Sequence, residues 1–281
     1  MFKLCRFLKN NRPTVGFYLS DAVVDLSSLG ISSITEVLEK PDRLKSVTGA
    51  NLPGEKLGSA KLLAPIETQE VWAAGVTYLR SKNARMDESE FSASAYDRVY
   101  EAARPEIFFK SMGEKVSGPS GPIGIRADAK WNVPEPELAL VINSRKELVG
   151  FTVGNDMSSR DIEGENLLYL PQAKVYKHSC ALGPCIVLGA SEEEARSWEI
   201  AIHIFREGKD VFSGKTSVSQ IKRSFRELID YLWRSQEFPN GVVLLTGTGI
   251  VPNDDFTLSP GDRVRINISG IGSIENTVVE V

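Results

Sequence analysis

Two glutamates lie two residues apart at the start of an apolar stretch, WNVPEPELALVIN at residues 131–143. Side chains at positions i and i+2 of a strand point to the same face, so we expect the carboxylates of Glu135 and Glu137 side by side, roughly 7 Å apart at the Cα atoms. Like charges on one face repel each other, and a cation between them would relieve that repulsion. The pair indicates either a metal site or two solvated glutamates on an edge strand.

A third carboxylate, Asp156, ends the next predicted strand in GFTVGNDMSSRD. Three carboxylates with water suit a hard divalent cation, Mg²⁺ or Mn²⁺ first and Ca²⁺ as an alternative. The chain has only two histidines and no CxxC or HExxH pattern, which argues against zinc. It also lacks the GxSxG and GxxxxGK[ST] motifs of serine hydrolases and P-loop proteins.

Other polar residues are candidates for contacts with a ligand. Lys174 lies in QAKVYKHS, and Thr248 lies in TGTGI, where flanking glycines let backbone N–H groups approach a ligand closely. Three further cationic side chains are candidate partners for substrate oxygens, with solvated side chains or structural ion pairs as the alternative: Arg80, Lys110 and Arg160.

The elements that must position these residues are mostly strands. Residues 1–61 form a small strand-rich unit, NLPGEKLGSA is a plausible boundary, and residues 62–281 form the larger domain. Many short strands with Gly/Pro turns and few long helices predict a β-rich α+β fold of mixed connectivity. The polar segment at 80–103 between buried strands is either a lid or a solvated helical excursion.

Three helices are predicted. ITEVLEKPDRL is a short helix that ends near Pro41, and Ser191 is the N-cap of another, with Glu194 at the capping-box position. SVSQIKRSFRELIDYLW, at 217–233, has the apolar spacing of an amphipathic helix.

Composition narrows the class of protein. The chain has 281 residues, 42% of them hydrophobic, and a net charge of −4, which gives no indication of a nucleic acid or an anionic membrane as partner. No run approaches the roughly 18 apolar residues of a membrane span. Three cysteines are an odd and sparse number, so we expect free buried thiols and a cytoplasmic protein.

The order of the motifs resembles the fumarylacetoacetate hydrolase superfamily over residues 62–281. The matching pieces are ExE, GFTVGNDMSSRD, PQAKVY…ALGP, TGTGI and PGDRVRINISGIGSIENTV. The resemblance implies a mixed β-sandwich roll, a divalent metal on Glu135, Glu137 and Asp156, usually magnesium, and commonly a homodimer. It also implies that Lys174 is the active-site lysine and that Thr248 contacts substrate.

One motif departs from the family pattern. Members that cleave C–C bonds carry a motif like NYxxHxxE, in which the His, oriented by the Glu, activates water. Here the segment is GVTYLRSKNA, with Ser81 at the His place and Ala84 at the Glu place. A serine without a neighbouring base does not deprotonate water at neutral pH, so hydrolysis is disfavoured. Ser81 becomes a candidate substrate contact instead.

The segment from GVTYLRSKNA to PEIFFKS is similar to the branch whose members dehydrate 2-keto-3-deoxy sugar acids such as 2-keto-3-deoxy-D-arabinonate. In that branch the glutamate of PEIFFK and the active-site lysine are thought to form the acid–base pair, here Glu106 and Lys174; for Glu106 the alternatives are a helix cap or an ion pair with Arg104. The resemblance implies a magnesium-dependent dehydratase of pentose degradation. The rival hypotheses are a C–C bond hydrolase of the fumarylacetoacetate or acylpyruvate type and a catalytically silent keto-acid-binding protein.

Overall fold

The structure is a computed structural model that describes residues 2–19, 22–41, 56–57, 60–78 and 98–281. Strands dominate it. The first nine are β1 (Phe2–Lys9), β2 (Arg12–Leu19), β3 (Ala22–Asp25), β4 (Lys56–Leu57), β5 (Leu62–Leu63), β6 (Glu70–Gly75), β7 (Glu106–Ser111), β8 (Pro122–Ile125) and β9 (Asn132–Val133). The others are β10 (Pro136–Ile142), β11 (Leu148–Asp156), β12 (Ser158–Ser159), β13 (Cys180–Leu188), β14 (Glu199–Arg206), β15 (Lys209–Ser217), β16 (Val242–Leu245), β17 (Arg263–Ile268) and β18 (Gly272–Glu280).

Two large sheets organise these strands. The eleven-stranded sheet has the order β4-β3-β2-β1-β13-β11-β10-β16-β6-β7, with β5 paired to β1. The five-stranded sheet has the order β15-β14-β17-β18-β8, and β9 pairs with β12 separately. The β14–β15 hairpin contains the stretch IAIHIFREGKDVFSGKTS. The predicted β-rich fold with mixed connectivity is confirmed, since β16 pairs in parallel with β6 while most other pairs are antiparallel.

The central strands of the large sheet are buried on both faces. On β10, Leu138 and Leu140 join the core cluster that contains Ile202 of the second sheet, whereas Ala139 and Val141 join the cluster on the opposite face. Alternate residues of a strand point to opposite faces, so burial of both faces makes the whole strand apolar. This explains why LALVI is a continuous hydrophobic run in the sequence.

The N-terminal strands extend the large sheet. Strand β1 pairs antiparallel with β13, and Leu4 lies opposite Ile186. The division at residue 61 stays a prediction, and hydrogen bonding within one sheet crosses it. The three cysteines are buried and free of disulfides, as expected.

The α-helices with both ends in the described part of the chain are short: α1 (Ile34–Glu39), α2 (Arg160–Glu165), α3 (Leu170–Lys174), α4 (Glu192–Arg196) and α5 (Phe225–Leu232). None of the helices in the described part of the chain is long and apolar enough to cross a membrane. Helix α1 ends before Pro41, and the Ser191 Oγ accepts a hydrogen bond from the Glu194 N–H at the start of α4, as predicted.

The amphipathic helix predicted at 217–233 is shorter than expected, because α5 begins only at Phe225. The Ser224 Oγ accepts a hydrogen bond from the Glu227 N–H and caps the helix at that point. Upstream, residues Val218–Gln220 form a 3₁₀ turn, and the Ser217 Oγ accepts from the Ser219 N–H. Local side-chain caps therefore divide a stretch whose apolar spacing alone predicts one helix.

Candidate active site

The register of two antiparallel strands brings three carboxylates to one place. Pro136 on β10 lies opposite Asn155 on β11, and the Asp156 N–H donates to the Glu135 carbonyl at 2.9 Å. Directly opposed residues share a face of the sheet, as do residues two apart on a strand. Glu135, Glu137 and Asp156 are all buried, and their carboxylate oxygens lie within 4.8 Å of one another.

The electrostatics of this triad favour a bound cation. Burial raises the pKa of Glu137 well above its usual range, and the negative charges of Asp156 and Glu135 raise it further. The Gly247 N–H donates to the Glu137 Oε2 at 2.6 Å, which acts in the opposite direction. A divalent ion among the three carboxylates would remove the repulsion and hold all of them ionised.

Cationic side chains surround the triad. The Lys174 Nζ donates to the Glu135 Oε2 at 2.8 Å and lies 3.5 Å from the Asp156 Oδ2. The Arg160 Nη2 donates to the Glu135 Oε1 at 3.1 Å. The Lys110 Nζ lies 2.5 Å from the Asp156 Oδ1 and also donates to the backbone carbonyls of Met157 and Lys174. All three cations are buried, so they hold the carboxylates in position rather than face open solvent.

The charges fit a divalent ion and an anionic ligand. Among the described buried side chains that meet here, four are carboxylates and three are cations; the fourth carboxylate is Glu163, whose Oε2 lies 4.0 Å from the Lys174 Nζ. Fully ionised, the group has one excess negative charge, and a divalent cation changes the excess to one positive charge. This excess positive charge favours an anionic ligand and also favours loss of the proton from Lys174. The donor set, three carboxylate groups, suits a hard divalent cation such as Mg²⁺.

Strand β7 leads away from this cluster to Glu106. Phe108 and Glu106 lie two residues apart and share one face of the strand, whereas the register with β6 shifts at Lys110. The Lys174 Nζ lies 5.9 Å from the centre of the Phe108 ring, so the lysine lies close to the strand that carries Glu106. The Glu106 carboxyl lies over Gly75, its partner on β6, and a Cβ atom at Gly75 would come within 1.9 Å of the Glu106 Oε2.

Two carboxyl groups line a cavity of about 270 Å³. Its lining includes Glu106, Glu163 and Arg104, together with the apolar side chains of Leu167 and Leu170. Sequence reasoning did not single out Glu163. The available signal was its position seven residues after Asp156, in the first turn of α2, which begins at Arg160. That spacing has meaning only once the structure shows that α2 brings Glu163 close to Lys174.

A family model, fumarylacetoacetate hydrolase C-terminal, matches residues 70–279. The chain belongs to this family. The predicted resemblance is confirmed, and the matched range contains all the carboxylates and cations described above.

Two curated members of the family are similar to the chain over nearly its whole length. The "Probable 2-keto-3-deoxyxylonate dehydratase" of Haloferax volcanii is 41% identical, with 98% of this chain and 96% of that protein covered. The "2-dehydro-3-deoxy-D-arabinonate dehydratase" of Saccharolobus solfataricus is 36% identical, with 98% and 95% covered. A solved structure of 2-keto-3-deoxy-D-arabinonate dehydratase complexed with magnesium and 2,5-dioxopentanoate is 32% identical and superposes with a TM-score of 0.85, covering 99% of both chains.

The remaining predicted residues of this family site differ in how the structure places them. Thr248 is buried, and its Oγ1 donates to the Ile250 carbonyl and accepts from the Ile250 N–H. The same loop contains Gly247, whose N–H donates to Glu137. Arg160 and Lys110 lie against the carboxylates described above, and their contacts with substrate stay predictions. Arg80 and Ser81 lie outside the described residues.

Proposed function

We propose that this protein is a magnesium-dependent dehydratase that removes water from a 2-keto-3-deoxy sugar acid, such as 2-keto-3-deoxy-D-arabinonate, to form a 2-keto acid semialdehyde. The observation that carries the proposal is the contact of Lys174 with the buried triad, beside a cavity that contains Glu106. The two similar curated dehydratases and the magnesium-bound structure support the same reaction class.

Glu135, Glu137 and Asp156 would hold the ion, whose chemical contribution is to polarise the keto oxygen of a bound 2-keto acid. Lys174, next to the triad, takes a proton from C3 of the substrate, and it acts in this step as the neutral amine. Glu106 donates a proton to the hydroxyl that leaves from C4 as water. Leu167 and Leu170 line the same cavity as Glu106, and these partly apolar surroundings favour the protonated acid that this role requires.

Elimination needs no activated water. This matters because the sequence has Ser81 and Ala84 where C–C hydrolases of the family carry the His and Glu that activate water. An elimination needs one proton donor and one proton acceptor. Glu106 is the donor and Lys174 is the acceptor, and both lie within the described structure. The C–C bond hydrolase is therefore the competing outcome of the test below.

The experiment is incubation of the purified protein with Mg²⁺ and racemic 2-keto-3-deoxypentonate, with the products followed by mass. We expect loss of one water, abolished by EDTA and by Lys174→Ala. Lys177→Ala is the matched control, because this exposed lysine lies three residues further along the chain. The proposal is wrong if no mass change occurs and the protein cleaves an acylpyruvate under the same conditions.

We further propose that the protein is cytoplasmic and assembles as a homodimer or higher homo-oligomer. The free buried thiols support the reducing compartment. Exposed apolar side chains at Met112, Leu168 and Val175 support an interface between subunits, since Leu168 is 84% exposed. Sedimentation equilibrium of the unaltered protein and of Leu168→Ser tests the assembly, and a monomeric unaltered protein contradicts it.

A further inference from the structure

Loss of water does not complete the reaction proposed above, and the remaining steps require a further acid–base group. The substrate 2-keto-3-deoxypentonate has a CH₂ at C3, a CH(OH) at C4 and a CH₂OH at C5. The product, 2,5-dioxopentanoate, has CH₂ groups at C3 and C4 and an aldehyde at C5. C4 must gain a hydrogen and C5 must lose one, so protons move at three carbon atoms.

The acidity of each C–H bond determines the order of these steps. Only the C3–H bond is adjacent to the keto group at the start, so it breaks first. Its electrons form the C3=C4 double bond while the C4–O bond breaks and the hydroxyl leaves with a proton from Glu106. The result is a conjugated enone, 5-hydroxy-2-oxopent-3-enoate. Conjugation makes the C5–H bond acidic, because its electrons can now reach the keto group.

We propose that Glu163 is the catalytic residue that takes this C5 proton; the proposal depends on the function proposed above. Glu163 is 1% exposed and lines the same cavity as Glu106. Its Oε2 lies 4.0 Å from the Lys174 Nζ, the group that acts at C3, and accepts a hydrogen bond from the Ser158 Oγ at 3.0 Å. Because Glu163 both lies next to Lys174 and lines this cavity, the proposal places the distal carbons of the substrate there.

The surroundings of Glu106 and Glu163 differ, since those of Glu106 favour a protonated acid and those of Glu163 favour a carboxylate that acts as a base. Glu163 accepts a hydrogen bond from the Ser158 Oγ, which favours the carboxylate. Glu106 extends from β7 over the backbone of Gly75, in a cavity whose lining includes Leu167 and Leu170. Two carboxyls of one site with such different environments divide the acid and base roles between them.

With these roles the protons balance over one cycle. Lys174 takes a proton from C3 during elimination and returns it to C3 when Glu163 removes the C5 proton, which leaves a C4=C5 enol. Glu163 then delivers its proton to C4, and the O5 hydroxyl gives its proton to the Glu106 carboxylate. The aldehyde forms, one water has been lost, and all three side chains recover their starting protonation states.

The test compares Glu163→Gln with Glu165→Gln, an exposed glutamate on the same helix. Each variant reacts with Mg²⁺ and 2-keto-3-deoxypentonate, and ¹H NMR distinguishes the vinyl protons of the enone from the aldehyde proton. For Glu163→Gln we expect aldehyde formation to fall by about 10²-fold or more while water loss falls less than about tenfold, so the enone accumulates. Glu165→Gln retains both rates. Equal slowing of both steps, or no slowing, overturns the assignment.

A second measurement uses the unaltered protein and therefore does not depend on the folding of a variant. The substrate is labelled with deuterium at both C5 positions, and the product is analysed by NMR. We expect deuterium to slow aldehyde formation but not water loss. We also expect more than trace amounts of deuterium at C4 of the product, because a buried group transfers it from C5. An isotope effect on water loss, or a C4 position labelled only from solvent, contradicts the proposal. If the unaltered protein releases no water at all, the proposed function fails instead.

Discussion

The isosteric substitution Glu137→Gln tests the electrostatic account of the triad directly. Glutamine keeps an oxygen that can accept the hydrogen bond from the Gly247 N–H, so packing and hydrogen bonding change little. The substitution removes one charge from three carboxylates whose oxygens lie within 4.8 Å of one another. At an effective dielectric constant of about 20, each pair of charges at that separation repels by roughly 3.5 kcal/mol or more, and Lys174 offsets part of this.

The raised pKa of Glu137 determines how stability depends on pH. In the unfolded chain this carboxyl has its ordinary pKa of 4.5, and in the metal-free folded protein its pKa is higher, chiefly because of burial. Between these two values the folded state binds more protons than the unfolded state does. The free energy of unfolding therefore decreases as the pH rises above 4.5, by at most about 1.4 kcal/mol per pH unit for this one proton. For a chain of this length that is about 2–3 °C in Tm per pH unit.

The assay is differential scanning calorimetry of the unaltered protein and Glu137→Gln in EDTA, and again with excess Mg²⁺, from pH 5 to pH 8. In EDTA we expect the Tm difference in favour of Glu137→Gln to widen as the pH rises, until the folded-state pKa is passed. In Mg²⁺ we expect the order to reverse. At an Mg²⁺ concentration of 100 times Kd the ion stabilises the unaltered protein by about 2.7 kcal/mol, and the variant binds the ion much less tightly.

Parallel Tm curves for the two proteins in EDTA would refute the reasoning about charge repulsion. A variant that retains the full Mg²⁺-dependent increase in Tm would refute the assignment of Glu137 as a ligand. The two results are independent, so the experiment separates the electrostatics of the triad from its role in binding metal.

Three further predictions concern the surroundings of the triad. Lys174→Ala lowers kcat by about 10²-fold or more, because it removes the side chain that we propose takes the C3 proton beside the triad, and steady-state kinetics at saturating Mg²⁺ measures this. Gly75→Ala displaces the Glu106 carboxyl, since the new Cβ lies 1.9 Å from its Oε2; kcat falls while Mg²⁺ affinity measured by calorimetry is unchanged, and an unchanged kcat would contradict the position of Glu106. Arg160→Met leaves the buried Glu135 carboxylate without its Nη2 donor, so urea unfolding loses about 3–5 kcal/mol, and a loss below 1 kcal/mol would contradict the buried pair.

Much of the site follows from local sequence pattern. Glu135 and Glu137 are two apart on a strand, and the strand period alone places their carboxylates on one face. The family pattern adds Asp156 and Lys174. The structure brings these four residues together, and their roles stay predictions. The predicted helix at 217–233 shows the limit of periodicity, because caps at Ser217 and Ser224 compete with a helix that the apolar spacing permits.

Tertiary structure alone decided the rest. Strand period and motif order determine which residues can share a face, because these properties depend on neighbours along the chain. Pairwise register, burial and the path of each turn depend on contacts between distant segments, and no local signal encodes them. Hence the approach of Glu163 to Lys174, the burial of Arg160 and Lys110 as partners of the triad, and the position of Glu106 over Gly75 appeared only in the folded chain. The N-terminal strands joined the large sheet for the same reason. Strand β1 pairs with an edge of β13 that would otherwise have unpaired backbone groups, and the two strands are about 180 residues apart in the sequence.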